Sequence, residues 1–340
     1  MRDDDRTTTG DELETTGDER TQVAIACQGG GSHTAFTTGV LRTLLSELDW
    51  AEEYELVGIS GTSGGAFNAL AVWYGLVTAD ERRAIEILEG IWDDLAAESY
   101  HDRMVNSWVS VYSRFQSEGG PVPGVSPYHS PAADWGQARI ADALERHVAF
   151  EEIPDLCAYE EPELVVGTVN VTDGTFETFT NEAVTTDAVL ASAAIPTLFE
   201  AVDIDGDQYW DGLFSQNPPV KDLMSVPGDR TPEELWVIQI NPQHREDVPT
   251  RLSDISDRRN ELGGNISLNQ ELRMIERINE WIEGGHFDHP EYTKTDVRRI
   301  QLEGYHYASK LDRSPRFLEE LVERGETEAT AFLADRDSSD

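Results

Sequence analysis

The sequence predicts an α/β protein with a mainly parallel sheet. An apolar run over residues 22–27 leads into a glycine-rich loop, and apolar residues then recur at helical spacing to about residue 48. A second apolar run, 54–59, leads into the turn Gly61-Thr62-Ser63-Gly64-Gly65, and a helix-like stretch follows over 66–77. Two consecutive strand–loop–helix units of this kind indicate parallel strands joined by right-handed crossovers.

The remaining elements are predicted from hydrophobic periodicity and from turn residues. Thr78 and Glu81 have the spacing of a capping box, which starts a helix to about residue 97. Asp173-Gly174 and Asp205-Gly206 each join two strand-like runs and predict hairpins. The other predicted strands lie near 164–171, 235–240 and 296–302, and the other predicted helices near 135–148, 186–194, 251–262, 266–283 and 314–334.

The predicted domain covers residues 21–334, because neither an internal repeat nor a break in composition divides the chain. Residues 1–20 are polar and acidic, so we expect a disordered leader there, and residues 335–340 form an acidic tail. Residues 99–133 combine aromatic side chains with prolines and glycines. This pattern favours a long irregular segment, either a lid over an apolar substrate or a packed surface loop.

The charge balance limits the partners. The chain has 26 basic and 66 acidic residues, a net charge of -40 and a pI of about 4.3. Such a surface repels nucleic acid and anionic membranes, so we expect no nucleic-acid partner and at most peripheral contact with a membrane or granule surface. A carboxylate-covered surface remains hydrated where concentrated salt screens its repulsion, which favours a halophilic source.

The segments expected of exported or membrane proteins are missing from the pattern. No apolar run approaches the roughly 18–20 residues of a membrane span, and no apolar signal segment follows Met1. Cys27 and Cys157 lie in apolar surroundings, and no Cys/His pair has metal-ligand spacing. We therefore expect a cytoplasmic protein with a reduced interior, no metal and no cofactor, in an oligomeric state that the sequence leaves open.

The turn around Ser63 is the first candidate for chemistry. A Gly-x-Ser-x-Gly turn between a strand and a helix lifts the serine hydroxyl out of the backbone, and Gly61 and Gly65 leave room for that sharp turn. The helix that follows directs its positive end at an anion formed over Ser63. One strand–helix unit upstream, Gly29, Gly30 and Gly31 allow successive N–H groups to converge, as an oxyanion hole requires. A glycine turn without chemistry remains the alternative.

Two nucleotide-binding interpretations of the glycine loop fit the sequence less well. A dinucleotide-binding fingerprint requires glycine or alanine where Thr34 stands. A phosphate-binding P-loop requires a lysine, which Ser32-His33-Thr34 lacks. Neither interpretation accounts for the serine turn that follows, whereas an oxyanion loop accounts for both motifs.

A nucleophilic serine needs a base, and the sequence offers two kinds. The usual base is a histidine held by a carboxylate, and of the eight histidines only His244 follows a clear strand closely. Asp211 follows the apolar pair Tyr209-Trp210 and precedes Gly212, which leaves room for close approach. A carboxylate that is desolvated beside aromatic rings becomes a stronger base. Asp211-Gly212 is equally compatible with a plain turn.

The order of these motifs resembles the patatin-like phospholipases. The family-like features are Gly29-Gly30-Gly31, Gly61-Thr62-Ser63-Gly64-Gly65 and Asp211-Gly212, together with the segment 191–199 and Asn217-Pro218. The resemblance extends over about residues 22–305. It implies a three-layer α/β/α sandwich and a pair of catalytic residues without histidine.

The resemblance also implies a role for each site residue. Ser63 would be the nucleophile, Asp211 the base and Gly29 to Gly31 the oxyanion loop, acting on acyl esters of lipids. His33-Thr34 stand where family members commonly carry Arg or Lys and then Gly, so a cationic contact to a lipid phosphate is in question. Leu213 replaces the commoner glycine or alanine.

The leading hypothesis is a serine acyl-ester hydrolase whose substrate is a lipid or a polyester. Phospholipids, neutral acylglycerols and intracellular polyhydroxyalkanoate all remain open as substrates. A different catalytic class is an α/β-hydrolase in which Ser63 and Asp211 work with His244 or His306. A protein that binds acyl chains without hydrolysing them is the non-enzymatic alternative.

Overall fold

The computed structural model describes residues 20–99, 102–104, 106–107, 126–158, 160–225, 230–286 and 293–337. The predicted leader, apart from residue 20, and most of the candidate lid over 99–133 therefore lie outside the described residues. The same holds for residues 338–340 of the predicted tail.

The strands form one eight-stranded sheet. They are β1 Thr21–Cys27, β2 Tyr54–Gly61, β3 Glu163–Asn170, β4 Phe176–Thr180, β5 Val202–Ile204, β6 Asp207–Asp211, β7 Glu234–Gln239 and β8 Asp296–Gln301. Their order is β5-β6-β3-β2-β1-β7-β8, with β4 paired to β3. The pairs among β3, β2, β1, β7 and β8 are parallel, whereas β4, β5 and β6 pair antiparallel. The predicted mainly parallel sheet is confirmed.

Helices cover both faces of this sheet. They are α1 Ala35–Glu47, α2 Gly64–Thr78, α3 Glu81–Leu95, α4 Pro131–Glu145, α5 Ile153–Leu156, α6 Thr186–Ser192, α7 Leu252–Gly264, α8 Ile266–Glu283 and α9 Pro315–Asp337. Side chains alternate along β1: Val23 and Ile25 enter the larger core under α1, α2 and α3, whereas Ala24 and Ala26 enter a second core with α8. A strand buried on both faces reads as a continuous apolar run, which is why β1 was evident in the sequence. The α/β/α layering is confirmed.

The beginning of α3 differs from the prediction. Thr78 is the last residue of α2, and its Oγ1 donates to the Tyr74 carbonyl at 2.5 Å. Asp80 caps α3 instead, where its side chain accepts a hydrogen bond from the Arg83 N–H at 2.9 Å. The capping box was wrong because Asp is as good an N-cap as Thr and lies closer to the first helical residue.

A membrane-spanning helix and a metal site each have requirements that can be checked against the described residues. Within the described ranges, no helix combines the length and apolar character that crossing a membrane requires. No group of three or more His, Cys, Asp or Glu side chains in that part of the chain is placed to hold a metal ion. Both cysteines are free thiols, and burial raises the pKa of the Cys27 thiol far above its ordinary value.

The contact between α1 and α9 brings two helix backbones together. A Cβ on Gly39 would lie 2.0 Å from the Val322 carbonyl oxygen, and a Cβ on Gly325 would lie 2.1 Å from the Phe36 carbonyl oxygen. These distances are shorter than any van der Waals contact. The terminal helix therefore packs on α1 only because both positions lack a side chain.

We predict that Gly39→Ala lowers the free energy of unfolding by about 1–3 kcal/mol, because the added methyl group forces the two helices apart. Gly263→Ala is the matched control, since nothing lies within 4 Å of its Cβ position near the end of α7. Denaturant unfolding in high salt measures both variants. Equal stabilities of the two variants would contradict the close packing of α1 on α9.

Candidate active site

Ser63 lies at the sharp turn between β2 and α2, at the N-terminus of α2. Its backbone has φ 57° and ψ −132°, a conformation that non-glycine residues rarely adopt and that costs on the order of 1–3 kcal/mol. A Cβ on Gly61 would lie 2.3 Å from the Gly65 carbonyl oxygen, and one on Gly65 would lie 2.2 Å from the Cys27 carbonyl oxygen. The turn therefore closes backbone against backbone, and Ser63 is only 7% exposed.

Ser192, at the end of α6, holds this turn against the neighbouring strand. Its buried Oγ accepts a hydrogen bond from the Ser63 N–H at 2.9 Å and donates one to the Gly167 carbonyl of β3 at 2.7 Å. One hydroxyl thus pairs with a backbone N–H of the turn and with a backbone carbonyl of β3. The backbone under Ser63 is fixed by a side chain from a distant helix.

The glycine loop packs directly on the serine turn. A Cβ on Gly29 would lie 2.4 Å from the Thr62 carbonyl oxygen, so only glycine allows this approach. The Gly29 N–H donates to Asn217 Oδ1 at 2.6 Å. The Gly29 N–H is therefore already engaged within the protein. Gly30 and Gly31, which has φ 59°, remain the candidate donors.

Gln28 fixes the glycine loop to three other segments. Its buried Oε1 accepts hydrogen bonds from the Ile240 and Asn241 N–H groups, each at 2.8 Å. Its Nε2 donates to Asn265 Oδ1 at 3.0 Å, between α7 and α8. The same nitrogen also lies within hydrogen-bond distance of the Asn217 carbonyl, at 3.2 Å. Because the side chain is buried and bonded at both ends, the loop cannot shift without breaking several hydrogen bonds.

Asp211 reaches the same place from β6, which lies on the opposite side of β3 from β2 in the sheet. It is the last residue of β6, which pairs with β3, and its N–H donates to the Ala194 carbonyl at 3.1 Å. The carboxylate is 1% exposed, and Oδ1 accepts a hydrogen bond from the Leu213 N–H at 2.8 Å. Gly212 lets this turn meet β3, since a Cβ there would lie 2.5 Å from the Gly167 carbonyl oxygen.

The Asp211 carboxyl lies near enough to the Ser63 hydroxyl for that hydroxyl to favour its charged form. Burial raises the pKa of Asp211 to about 7, and three contacts oppose that rise: the Leu213 N–H, the Ser63 hydroxyl and the charge of Lys310. A carboxyl group with a pKa near neutrality can both accept and return a proton at physiological pH. The structure thus brings together Ser63, Asp211 and the glycine loop, the residues that the sequence analysis named as candidates.

The histidines considered as bases have other surroundings. His306 is 76% exposed at its side chain, and its Nδ1 lies 3.4 Å from Asp257 Oδ2. His244 is exposed on the loop after β7. His33 is buried, with Nε2 2.8 Å from Ser309 Oγ, and burial together with Lys310 lowers its pKa well below the ordinary value. His33 is therefore neutral and brings no positive charge to the glycine loop.

Three residues of the site escaped the sequence analysis. Gln28 was visible as a polar side chain between an apolar strand and the glycines, and Ser192 lay in a family-like segment without an assigned role. Lys310 contacts the glycine loop from the C-terminal part of the chain. The one sequence signal for Lys310 is that lysine is rare in this chain, which has only three. None of the three follows a local pattern of periodicity or spacing.

Comparison with known proteins gives one family match. A family model described as "Patatin-like phospholipase" matches residues 25–224, more than half of the chain. The matched range contains the glycine loop, the serine turn and Asp211. No curated protein sequence matches the chain.

Three solved structures are similar to the chain at low identity. VipD from Legionella pneumophila is 14% identical with a TM-score of 0.44, over 93% of this chain and 67% of VipD. The heterodimeric complex ExoU–SpcU, from the type III secretion system of Pseudomonas aeruginosa, gives 13% identity and a TM-score of 0.38 over 94% of this chain. The type III effector protein ExoU gives 11% and 0.37, also over 94%. This chain spans 52% and 54% of those last two matched chains.

We predict that Asp211→Asn raises the free energy of unfolding by more than about 1 kcal/mol at pH 8. The raised pKa means that the folded state disfavours the charged carboxylate. The advantage of Asn therefore grows as the pH rises from about 4 to about 7 and is constant above that. Denaturant unfolding at several pH values measures it.

Asp173→Asn is the matched control for this prediction. Asp173 also precedes a glycine in a turn, but it is exposed. Its substitution should give a stability difference that does not change over the same pH range. A parallel response of the two variants would contradict the cost of ionising Asp211.

Proposed function

This chain belongs to the patatin-like phospholipase family, and we propose that it hydrolyses the carboxylic esters of lipids with Ser63 as nucleophile and Asp211 as base. The observation that carries the proposal is the placement of the strained, buried Ser63 beside a buried carboxyl group, Asp211, whose pKa burial raises to about 7. A serine hydroxyl becomes an effective nucleophile only beside such a base.

In the first half of the proposed reaction, Ser63 Oγ attacks the carbonyl carbon of the ester while its proton passes to Asp211. The carbonyl oxygen becomes an oxyanion, which the Gly30 and Gly31 N–H groups and the N-terminus of α2 favour. When the oxyanion collapses, the ester C–O bond breaks and the leaving alcohol takes the proton from Asp211. The acyl group is then bound to Ser63 Oγ.

In the second half, a water molecule attacks the acyl carbon and gives a proton to Asp211. The bond to Ser63 Oγ breaks, the carboxylic acid leaves, and Ser63 recovers its proton from Asp211. The carboxylate therefore acts as base and then as acid in each half, which a pKa near the working pH allows. The residues named, the substrate and water account for every bond and proton in these steps.

Lipid esters are the proposed substrate class, and the physiological ester is chosen by assay. Phospholipid, triacylglycerol, polyhydroxybutyrate granules and short esters form the panel, so that a storage polyester is tested beside membrane lipids. Molar KCl is the medium, because a chain with a net charge of -40 repels itself less where charges are screened.

We predict that Ser63→Ala and Asp211→Asn each lower kcat for ester hydrolysis by at least about a thousandfold, since each removes a group that acts in every step. Asp173→Asn, in the exposed turn, should retain full activity. Turnover of a p-nitrophenyl ester measures all three variants, and circular dichroism checks that they fold. Full activity of Asp211→Asn would contradict the proposed pair.

Two further measurements separate the alternatives. A loss of activity in His244→Ala or His306→Ala alone would favour the Ser-His-Asp triad of an α/β-hydrolase. A fluorophosphonate probe should label Ser63 in the unmodified chain. No labelling and no turnover would favour a protein that binds acyl chains without cleaving them.

We also predict that kcat/KM rises with pH through about 7 and levels off above it. Asp211 must be charged to accept the proton, and its pKa is raised to about 7, so the active fraction falls about tenfold per unit below that value. A neutral short ester avoids ionisation of the substrate. A rate that changes near pH 4 instead would mean that Asp211 is not the base.

A further inference from the structure

Lys310 lies against the glycine loop, although it comes from the far end of the chain. It belongs to the short helix Tyr307–Leu311 that follows β8. A Cβ on Gly31 would lie 2.3 Å from the Lys310 carbonyl oxygen, and one on Gly30 would lie 3.7 Å from its Cε. The backbone and the side chain of Lys310 thus lie beside the two candidate oxyanion donors, Gly31 and Gly30.

The ammonium group of Lys310 is held by the frame that holds the loop. Nζ donates to Asn241 Oδ1 at 2.5 Å. Asn241 is buried, and its N–H donates to Gln28 Oε1 at 2.8 Å. Its carbonyl accepts from Asn265 Nδ2 at 3.2 Å. Because Gln28 also precedes the glycines, the position of the charge is tied to the position of the loop.

The acidic charges around Lys310 lie on α7 and at the end of β6. Burial lowers the pKa of Lys310 to about 8, and the charges of Glu261, Asp211 and Asp257 oppose that fall. Two of these acids have other partners. Glu261 pairs with Arg245 and Arg258, and Asp257 lies beside His306.

Asp211 has a different environment. Its side chain interacts with the Leu213 N–H, the Ser63 hydroxyl and Lys310, and of these only Lys310 carries a charge. His33, which follows the glycines, is held neutral by its burial and by Lys310.

The packing brings Lys310 and Asp211 to one place. Asn241, which binds the Lys310 ammonium, and Leu213, whose N–H binds Asp211, both face Gly264. A Cβ on Gly264 would lie 2.7 Å from Asn241 Nδ2 and 3.6 Å from Leu213 Cδ1. Among the described groups that act on ionised Asp211, the one cation is therefore Lys310. With a pKa of about 8, Lys310 is still protonated where Asp211 titrates.

We propose that Lys310 is a positioning residue for the hydrolytic pair: its ammonium group, anchored by Asn241 beside the glycine loop, holds Asp211 in the charged form that accepts the Ser63 proton. This inference rests on the proposed function. Lys310 is one of the three lysines of the chain, and it lies outside both the serine turn and the Asp-Gly turn.

The test is the pH dependence of kcat/KM for a neutral short ester in three variants. Lys310→Met removes the charge and the hydrogen bond, Lys310→Gln retains a donor for Asn241 without the charge, and Lys310→Arg retains the charge. We expect the rising limb of the profile to move up by about one pH unit in Lys310→Met and Lys310→Gln, and to return towards the parent position in Lys310→Arg. At about pH 6, the Met and Gln variants should then be about tenfold slower than the parent.

Lys294→Met is the matched control, because this lysine is exposed and pairs with Glu283 at the surface. Its limb should coincide with that of the parent. Thermal unfolding of every variant distinguishes a moved limb from a loss of folded protein, since unfolding lowers the amplitude without moving the midpoint. If Lys310→Met does not fold, Lys310→Gln tests the loss of the charge in its place.

Three results would overturn the inference. If the rising limb of the kcat/KM profile stays in place in Lys310→Met and Lys310→Gln, at any amplitude, Lys310 has a structural role only. A loss confined to phospholipid and expressed in KM would mean that Lys310 contacts a substrate phosphate. An absence of Ser63-dependent hydrolysis in the parent would overturn the proposed function and this inference together, whereas the first two results leave the proposed function intact.

Discussion

The contact between the glycine loop and the serine turn is the constraint on which the site depends. β1 and β2 are parallel neighbours, with Cys27 opposite Gly61, so the loops that leave both strands meet at one edge of the sheet. The two loops touch through backbone atoms, because Gly29 faces the Thr62 carbonyl and Gly65 faces the Cys27 carbonyl. A side chain at either glycine would separate the loop from Ser63 by more than a hydrogen bond tolerates. The geometry therefore follows from sheet topology together with the absence of Cβ atoms.

The same packing explains why the site is costly to maintain. Ser63 has a strained backbone, and Asp211 has lost its water. Both lower stability, and the surrounding structure compensates with hydrogen bonds from Ser192 and Gln28 and with a rigid parallel sheet. The burial that makes ionised Asp211 unfavourable is also what makes it a base near neutral pH. A more exposed carboxylate would be more stable and less basic.

The sequence predicted what local patterns determine. Buried parallel strands read as apolar runs, and the strained turn required its glycines, so the sheet and Ser63 followed from spacing. The approach of Asp211 to Ser63 depends on the pairing of β6 with β3, which no local pattern encodes, and the family resemblance supplied it. The roles of Ser192, Gln28 and Lys310 were missed because each acts through partners far away in sequence. The capping box at Thr78 failed because two cap residues competed within one turn.

The strands also explain how one acidic chain places a cation at its site. β7 and β8 run parallel to β1, so their carboxyl ends deliver Asn241 and Lys310 to the edge where the glycine loop lies. Surface carboxylates interact through water, and molar salt screens them within a few ångströms. Asp211 is buried and Lys310 is half-buried, so salt screens these two charges less than it screens charges at the surface. Added salt therefore weakens the repulsion across the surface of this chain, whose net charge is -40, and alters the pKa of the buried Asp211 carboxyl much less.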